Sequence, residues 1–134
     1  MKQILLVVTM VLALWVRPAA ADDVAVQGVI SAQIEAFKAD DFARAFTFAS
    51  PTIQDVFRTP ENFGAMVKNG YPMVWRPVEL RYLEARVIAG QLWQKVLVKD
   101  AAGERFLLDY RMINTAEGWR IDAVQLLELP EVSA

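Results

Sequence analysis

Positions 79–128 alternate between apolar and polar residues, and three turn signals interrupt the alternation. The signals are Gly90-Gln91, Ala101-Ala102-Gly103 and Ala116-Glu117-Gly118. Alternation of this kind is typical of strands with one buried face, and short glycine-containing turns join antiparallel neighbours. The segment therefore predicts four antiparallel strands in sequential hairpins. The helical patterns that precede it are expected to cover one face of that sheet.

The turn residues predict a register for each hairpin. A two-residue turn at Gly90-Gln91 suits the first, and a three-residue loop that ends in a left-handed Gly103 suits the second. A four-residue loop in the second hairpin would mix apolar and charged residues on one face, so the shorter loop is preferred. A four-residue loop from Thr115 to Gly118 closes the third hairpin. These turns pair Leu83 with Val98, Val87 with Gln94, Gln94 with Tyr110, Met112 with Ile121, Tyr110 with Ala123 and Phe106 with Leu127.

In this register one face of the sheet is almost entirely apolar. Its only polar groups are the amides of Gln94 and Gln125 and the hydroxyl of Tyr110. Such a face is expected to lie against the helices. Its apolar and aromatic members are Leu83, Ala85, Val87, Leu92, Val96, Val98, Phe106, Leu108, Tyr110, Met112, Trp119, Ile121, Ala123 and Leu127.

The opposite face collects the charged residues of the sheet. Two cross-strand ion pairs are expected on it, Lys95–Asp109 and Arg111–Asp122. Several large apolar residues lie among the charges and would form a band on the scale of a few hundred Å², which is the scale of interaction sites. The members of this face are Glu84, Arg86, Trp93, Lys95, Leu97, Leu107, Asp109, Arg111, Arg120, Asp122, Val124 and Leu126.

The first 21 residues have the organisation of a secretory signal. Lys2 precedes a 13-residue, mostly apolar run from Ile4 to Val16, and Ala19-Ala20-Ala21 provides a small-residue cleavage site. An uncleaved membrane anchor is the alternative, but a spanning helix needs about 20 apolar residues. We therefore expect a signal peptide over 1–21, a single domain over 22–134 and export to the periplasm.

Composition excludes several classes of chemistry. The chain has no histidine and no cysteine, which removes Ser-His and Cys-His catalysis, thiol redox chemistry and the usual zinc ligands. Beyond the signal, 12 basic residues stand against 16 acidic ones. A net negative charge without a basic cluster argues against nucleic acid and anionic membranes as partners. No cofactor, no metal and no stable membrane insertion of the mature chain are expected.

Helical patterns fill positions 23–70. Apolar residues recur every three to four positions from Asp23 to Ala39, with Val26, Ile30, Ile34 and Phe37 on one side. Asp40 or Asp41 is expected to cap a second helix, which Ser50-Pro51 ends. A third helix is expected to begin at Thr59-Pro60-Glu61.

Three shorter stretches are less regular. Thr52–Phe57 is ambiguous between a helical turn and an edge strand, and the helical turn is preferred. Asn69-Gly70 is expected to end the third helix in a left-handed cap. Tyr71–Pro77 carries two prolines and is expected to cross to the sheet as an extended run.

Six segments of the chain together form a recognisable pattern: Asp40–Phe46, Ala49–Pro51, Thr59–Phe63, Met66-Val67, Gly70–Pro72 and Gly118–Asp122. They resemble a bacterial family classed only as a domain of unknown function. That family resembles the cone-shaped superfamily of nuclear transport factor 2, ketosteroid isomerase and scytalone dehydratase. The resemblance implies an α+β fold in which the N-terminal helices pack on the concave face of a curved, four-strand antiparallel meander, with a deep pocket and frequent dimers through the sheet. It implies no reaction, and no site of the superfamily transfers to a residue here.

We interpret the apolar face as the wall of a pocket for a small apolar or amphipathic ligand, bound without catalysis. The alternative is a core that is packed shut, in a structural or partner-binding module that forms a homodimer through the charged sheet face. An isomerase-like or dehydratase-like enzyme is the weakest reading, because Asp109 and Asp122 are expected on the charged face and would stay ionised there. The candidate ligand-binding residues are Tyr110, Gln94, Gln125, Trp119, Tyr71 and Trp75.

Overall fold

The computed structural model describes residues 19–130, with side chains from residue 22 onward. Five helices precede four strands in this part of the chain. The helices are α1 (Ala19–Lys38), α2 (Phe42–Thr47), α3 (Pro51–Phe57), α4 (Pro60–Gly70) and α5 (Pro72–Trp75), and the strands are β1 (Glu79–Ile88), β2 (Gln91–Lys99), β3 (Arg105–Thr115) and β4 (Gly118–Leu127).

The predicted signal over Met1–Ala21 falls mostly outside the described residues. The structure gives only the backbone of Ala19–Ala21, as the start of α1, so the signal remains a prediction. Within residues 19–130 no helix is both long enough and apolar enough to span a bilayer.

The four strands form one antiparallel sheet in the order β1-β2-β3-β4. The predicted α+β architecture of helices followed by a four-strand meander is thus confirmed. The register of the second hairpin is also confirmed, with Gln94 opposite Tyr110 and Val96 opposite Leu108. Gly103 has a φ of 82°, the left-handed conformation that closes a three-residue loop.

The first hairpin turns one residue earlier than predicted. Ala89 and Gly90 have φ values of 51° and 78°, as a two-residue primed turn requires at both central positions. Val87 consequently lies opposite Leu92 instead of Gln94. The sequence prediction was wrong because it required glycine at the first turn position, whereas the chain places an alanine there.

A β-bulge in β1 changes which residues face the helices. The register shifts between Tyr82 and Ala85, so Tyr82 pairs with Val96 and Leu80 pairs with Val98. Leu80 and Tyr82 therefore pack against the core. Leu83, which was predicted to face inward, lies on the opposite face of the sheet and is exposed.

A second bulge interrupts β4. Met112 lies opposite Ile121 as predicted, but one extra residue then places Val124, not Ala123, opposite Tyr110. Val124 packs on the core, against expectation. Gln125 lies opposite Asp109 and is exposed, and Leu127 lies opposite Leu107, not Phe106. The prediction was wrong because an alternating pattern does not reveal an inserted residue.

The helices pack on the face of the sheet that holds Val96, Leu108 and Tyr110, and we call the other side the outer face. The predicted stripe of α1 is confirmed, because all four of its members are almost fully buried. The caps of α2, α3 and α4 are side-chain oxygens that accept a backbone N–H three residues later. Those caps are Asp41, Ser50 and Thr59, and the stripe residues are Val26, Ile30, Ile34 and Phe37.

Two predictions about residues 69–77 were wrong. The helix α4 continues through Gly70 without a left-handed cap, because the residue after it, Tyr71, has a φ of −136°. Pro72 then begins the short helix α5, where the sequence suggested an extended run. Proline suits the first turn of a helix because its missing N–H has no intrahelical acceptor there.

A polar clamp joins the end of α5 to the end of α1. Arg76 donates two hydrogen bonds to the carboxylate of Asp40 and two to the carbonyls of Phe37 and Lys38. Trp75 Nε1 donates to the same carboxylate at 2.8 Å. That hydrogen bond and Arg76 lower the pKa of Asp40. The clamp satisfies carbonyls that the end of α1 leaves open.

The outer face carries ion pairs, although not all of the predicted ones. Arg111 binds Asp122 at 3.0 Å, as expected. Lys95 lies opposite Asp109 as predicted, but the ion pair between them was wrong, because Lys95 binds Glu84 at 2.9 Å and Asp109 accepts two hydrogen bonds from Arg86. The guanidinium fork matches a carboxylate better than an ammonium does, and it shields Asp109 to 5% exposure.

Gly64 provides a test of the packing between α2 and α4. A Cβ at this position would lie 2.7 Å from the ring of Phe42, whereas a Cβ at Gly28 in α1 would meet nothing within 4 Å. Gly64→Ala should lower the free energy of unfolding by about 1–2 kcal/mol, because overpacking outweighs the gain in helix propensity. Gly28→Ala is the matched control and should raise it by up to about 1 kcal/mol. Equilibrium urea unfolding measures both, and equal effects would contradict the tight contact.

Candidate functional site

A cavity of about 280 Å³ lies between the helices and the β4 side of the sheet. It is open on one side, and its wall is mostly apolar. The polar lining residues are Gln33, Tyr71, Tyr110 and Asp122. The apolar ones are Phe37, Ala49, Ile53, Phe57, Phe63, Met66, Val67, Val74, Ile121, Ala123 and Val124.

The β4 bulge and the helix α3 shape this cavity. The chain around Ala49 adds to the edge of β4, because the N–H of Ser50 donates to Ile121 and the N–H of Ile121 donates to Phe48. From that anchor, α3 crosses the cavity with no fully buried residue. Ile53 and Phe57 of α3 line the cavity and are half-buried. Helix α3 therefore forms one part of the helical side of the cavity, beside residues of α1, α4 and α5, and we call α3 the roof.

Tyr110 provides the most deeply buried polar group of the wall. Its side chain is 1% exposed, and its hydroxyl makes no hydrogen bond with any residue of 19–130. Burial, and then the nearby Tyr82, raise the pKa of Tyr110. The phenol therefore stays protonated at neutral pH and is available as a hydrogen-bond donor.

Gln33 and Tyr71 add hydrogen-bonding groups to the same wall. The amide nitrogen of Gln33 donates to the carbonyl of Ala45 at 3.2 Å, and no described residue donates to its amide oxygen. Tyr71 donates to the carbonyl of Val124 across a long 3.4 Å. Tyr71 thus links the α4–α5 junction to β4 beside the cavity.

Asp122 is the one carboxylate of the cavity wall among the described residues. It was predicted to face outward, yet at the bulge it reaches both sides of the sheet edge. Its Oδ1 accepts from Ser50 at 2.7 Å, and its Oδ2 accepts from Arg111 at 3.0 Å. Both carboxylate oxygens of Asp122 are therefore engaged by neighbouring side chains.

Gln94 has a structural role that the sequence did not reveal. Its side chain is fully buried, and its Nε2 donates to the carbonyls of Leu83 and Lys95 at 2.9 and 2.8 Å. Leu83 lies in the β1 bulge, where the ladder is interrupted. Gln94 is absent from the cavity wall. Its Oε1 is the one enclosed side-chain polar atom without a partner in the described part of the chain.

The other candidate residues lie apart from the cavity. Gln125 is exposed and paired with Asp109, so its predicted place on the helix-facing side was wrong. Trp119 lines a separate open hollow near the start of α1. Trp75 stacks between Lys68 and Arg76, 5.0 and 4.5 Å from its ring. Of the six candidates, the structure brings Tyr110 and Tyr71 to one cavity, and ligand binding there remains a prediction.

A family model described as "Domain of unknown function (DUF4864)" matches residues 19–134. The chain belongs to this family. No curated protein and no solved structure matches it.

Gln33, Ile53 and Asp122 of this DUF4864 domain line the cavity but were not among the sequence candidates, and Gln33 had a visible signal. Gln33 follows Ile30 by three residues and precedes Phe37 by four, so it is a polar residue within the apolar stripe of α1. A polar residue at such a position indicates a buried hydrogen-bonding group. Ile53 and Asp122 had no such signal, because their positions depend on α3 and on the β4 bulge.

The contrast between Gln94 and Gln125 is testable. Gln94→Met should lower the free energy of unfolding by about 1–3 kcal/mol, because it removes the hydrogen bonds of a fully buried amide and leaves the Leu83 carbonyl without its donor. Gln125→Met is the matched control at an exposed position and should change it by less than about 0.5 kcal/mol. Chemical denaturation followed by tryptophan fluorescence measures both. A neutral Gln94→Met would mean that the bulge does not need the amide.

Proposed function

We propose that this DUF4864 domain binds a small apolar or amphipathic molecule in the cavity, without catalysing a reaction. The observation that carries the proposal is a mostly apolar cavity of about 280 Å³ whose wall contains a few hydrogen-bonding groups and one carboxylate that Arg111 and Ser50 hold. Ligand sites generally combine apolar walls with a small number of polar groups that orient the ligand.

The size of the cavity supports a small ligand. Pockets for drug-sized ligands begin near about 300 Å³, and an apolar cavity of about 150 Å³ already holds benzene. The volume of about 280 Å³ therefore suits a molecule of roughly two rings. It also argues against a core that is packed shut.

The chemistry of the wall favours a binder over a catalyst. General acid–base catalysis needs a group whose pKa lies near the working pH. The chain has no histidine, the pKa of Tyr110 is raised far from neutrality by burial, and Asp122 is held by Arg111 and Ser50. The described part of the wall therefore supports binding over proton transfer.

We also propose that the domain is related to the cone-shaped superfamily of nuclear transport factor 2. The supporting observations are helices that pack on one face of a four-strand antiparallel meander and a cavity between the two layers. Bulges in both outer strands are consistent with a curved sheet, because bulges bend the strand that carries them.

Export with cleavage after Ala21 is a further part of the proposal. The apolar run before the alanine triplet supports it. Removal of residues 1–21 would also take away none of the described core, because the first core residue of α1 is Val26. A mature chain would therefore keep its packing.

A second candidate function is homodimer formation through the outer face. An open groove on that face is lined by Leu83, Leu97, Leu107 and Leu129, and the Lys95–Glu84 ion pair lies at its side. Apolar residues framed by charges are suited to a self-complementary contact.

Filling the cavity tests the first candidate. Ile53→Trp should weaken the binding of naphthalene, an uncharged two-ring probe, by at least about tenfold, because the indole occupies the space under α3. Val56→Trp is the matched control, because Val56 belongs to the same helix but is 65% exposed and does not line the cavity. Equilibrium dialysis measures the affinity. Equal binding by both variants would place the probe elsewhere.

Native mass spectrometry of the protein from the envelope of its own host tests export, ligand and subunit count together. We expect the mass of residues 22–134, an additional small molecule and a fraction of dimer. Leu97→Glu should abolish the dimer and leave the ligand in place, because Leu97 lines the outer groove and not the cavity. A bare monomer that retains residues 1–21 would contradict all three proposals.

A further inference from the structure

The polar residues that line the cavity, Tyr110 and Gln33 above all, constrain the head group of a ligand. Among the described residues, Gln94 Oε1 is the one fully enclosed side-chain polar atom without a partner. The hydroxyl of Tyr110 also lacks a partner, although its side chain is 1% exposed. Because the Tyr110 hydroxyl is not one of the fully enclosed atoms, a water-sized molecule can reach it. The cavity is the space that Tyr110 lines. The amide oxygen of Gln33 has no donor among these residues either.

The charges of the wall exclude an ionic head group. No lysine or arginine of the described chain lines the cavity, so an anion would lose its hydration without gaining a counter-charge. Both oxygens of Asp122 are already engaged, by Ser50 and by Arg111. An ammonium group would meet a carboxylate whose charge Arg111 already pairs, so it would lose its hydration without gaining a free counter-charge. The cavity wall therefore accommodates a neutral head group best.

A ligand hydroxyl group can form a hydrogen bond with each of the two unpartnered groups, the Tyr110 hydroxyl and the Gln33 amide oxygen. It accepts a hydrogen bond from a phenol and donates one to an amide oxygen, which are the groups that Tyr110 and Gln33 offer. A buried donor without a partner is costly, so a ligand that supplies the acceptor gains more than an apolar ligand of the same shape.

We propose that the ligand is a neutral alcohol or phenol with an apolar body of about two rings, and that its hydroxyl binds Tyr110, with Gln33 as the second partner. This inference rests on the proposed function, because it names the chemistry of the molecule that occupies the same cavity. Tyr110 is then the residue that sets specificity for the head group, and the apolar wall supplies the rest of the affinity.

Three probes with one body and different head groups test the proposal. They are naphthalene, 2-naphthol and 2-naphthoate, and equilibrium dialysis measures their affinities for the wild type, Tyr110→Phe, Gln33→Met and Tyr82→Phe. The wild type should prefer 2-naphthol over naphthalene by about fivefold, as one net hydrogen bond gives. The carboxylate should bind at least about tenfold more weakly than 2-naphthol.

The variants separate the head group from the body. Tyr110→Phe should lose the preference for 2-naphthol and keep the affinity for naphthalene, and Gln33→Met should reduce the preference. Tyr82→Phe is the matched control, because the Tyr82 hydroxyl binds α1 through Gln27 and Ser31 and lies outside the cavity wall. It should leave the preference unchanged.

Each outcome has one meaning. Equal binding of naphthalene and 2-naphthol by the wild type, or an unchanged preference in Tyr110→Phe, overturns the head-group inference and leaves the proposed function standing. Preference for 2-naphthoate overturns the inference as well. No binding of any probe by the wild type contradicts the proposed function itself. If Tyr110→Phe does not fold, an unchanged preference in Gln33→Met overturns the inference in its place.

Discussion

Two β-bulges, one in each outer strand, decide which residues of this domain face the helices. An inserted residue reverses the alternation beyond it, so each bulge moves every later side chain to the other face. In β1 the bulge turns Tyr82 inward, where its hydroxyl binds the backbone of α1. In β4 it brings Val124 onto the core and Asp122 to the sheet edge. The core and the cavity wall both depend on these two irregularities.

A polar side chain is engaged at each bulge. Gln94 donates to the Leu83 carbonyl in the β1 bulge, and Asp122 in the β4 bulge accepts from Ser50, which also caps α3. A backbone carbonyl that leaves the ladder needs another donor, so Gln94 supports the backbone of its bulge, whereas Asp122 joins its bulge to the side chains of Ser50 and Arg111. The same Ser50 contact positions the roof of the cavity. The sheet edge and the candidate site are therefore built by one set of hydrogen bonds.

The sequence predicted the regular parts of this fold and missed the irregular ones. The central hairpin was predicted to the residue, because Gly103 and the faces of β2 and β3 agree on a single register. The outer strands were wrong beyond their bulges, since an inserted residue leaves no mark in composition. Because the β4 bulge was not predicted, Gln125 was expected on the helix-facing side, whereas it is exposed on the outer face. Tyr110 was placed correctly because β3 is regular where it pairs with β2, whereas Gln33 was overlooked within the stripe of α1.

The distribution of charge gives the cavity its chemical character. Two acidic residues of the sheet are paired with arginines, Asp109 with Arg86 and Asp122 with Arg111. Neither arginine lines the cavity, so among the described residues the cavity wall has Asp122 as its one ionic residue. The roof has no fully buried residue. Ser50 and Gln54 hold its start by hydrogen bonds, and Ile53 and Phe57 pack against the core while half-exposed. Segments with little buried surface open locally at low cost. A wall fixed by the sheet and a roof held at few points would let a ligand enter without disturbing the core.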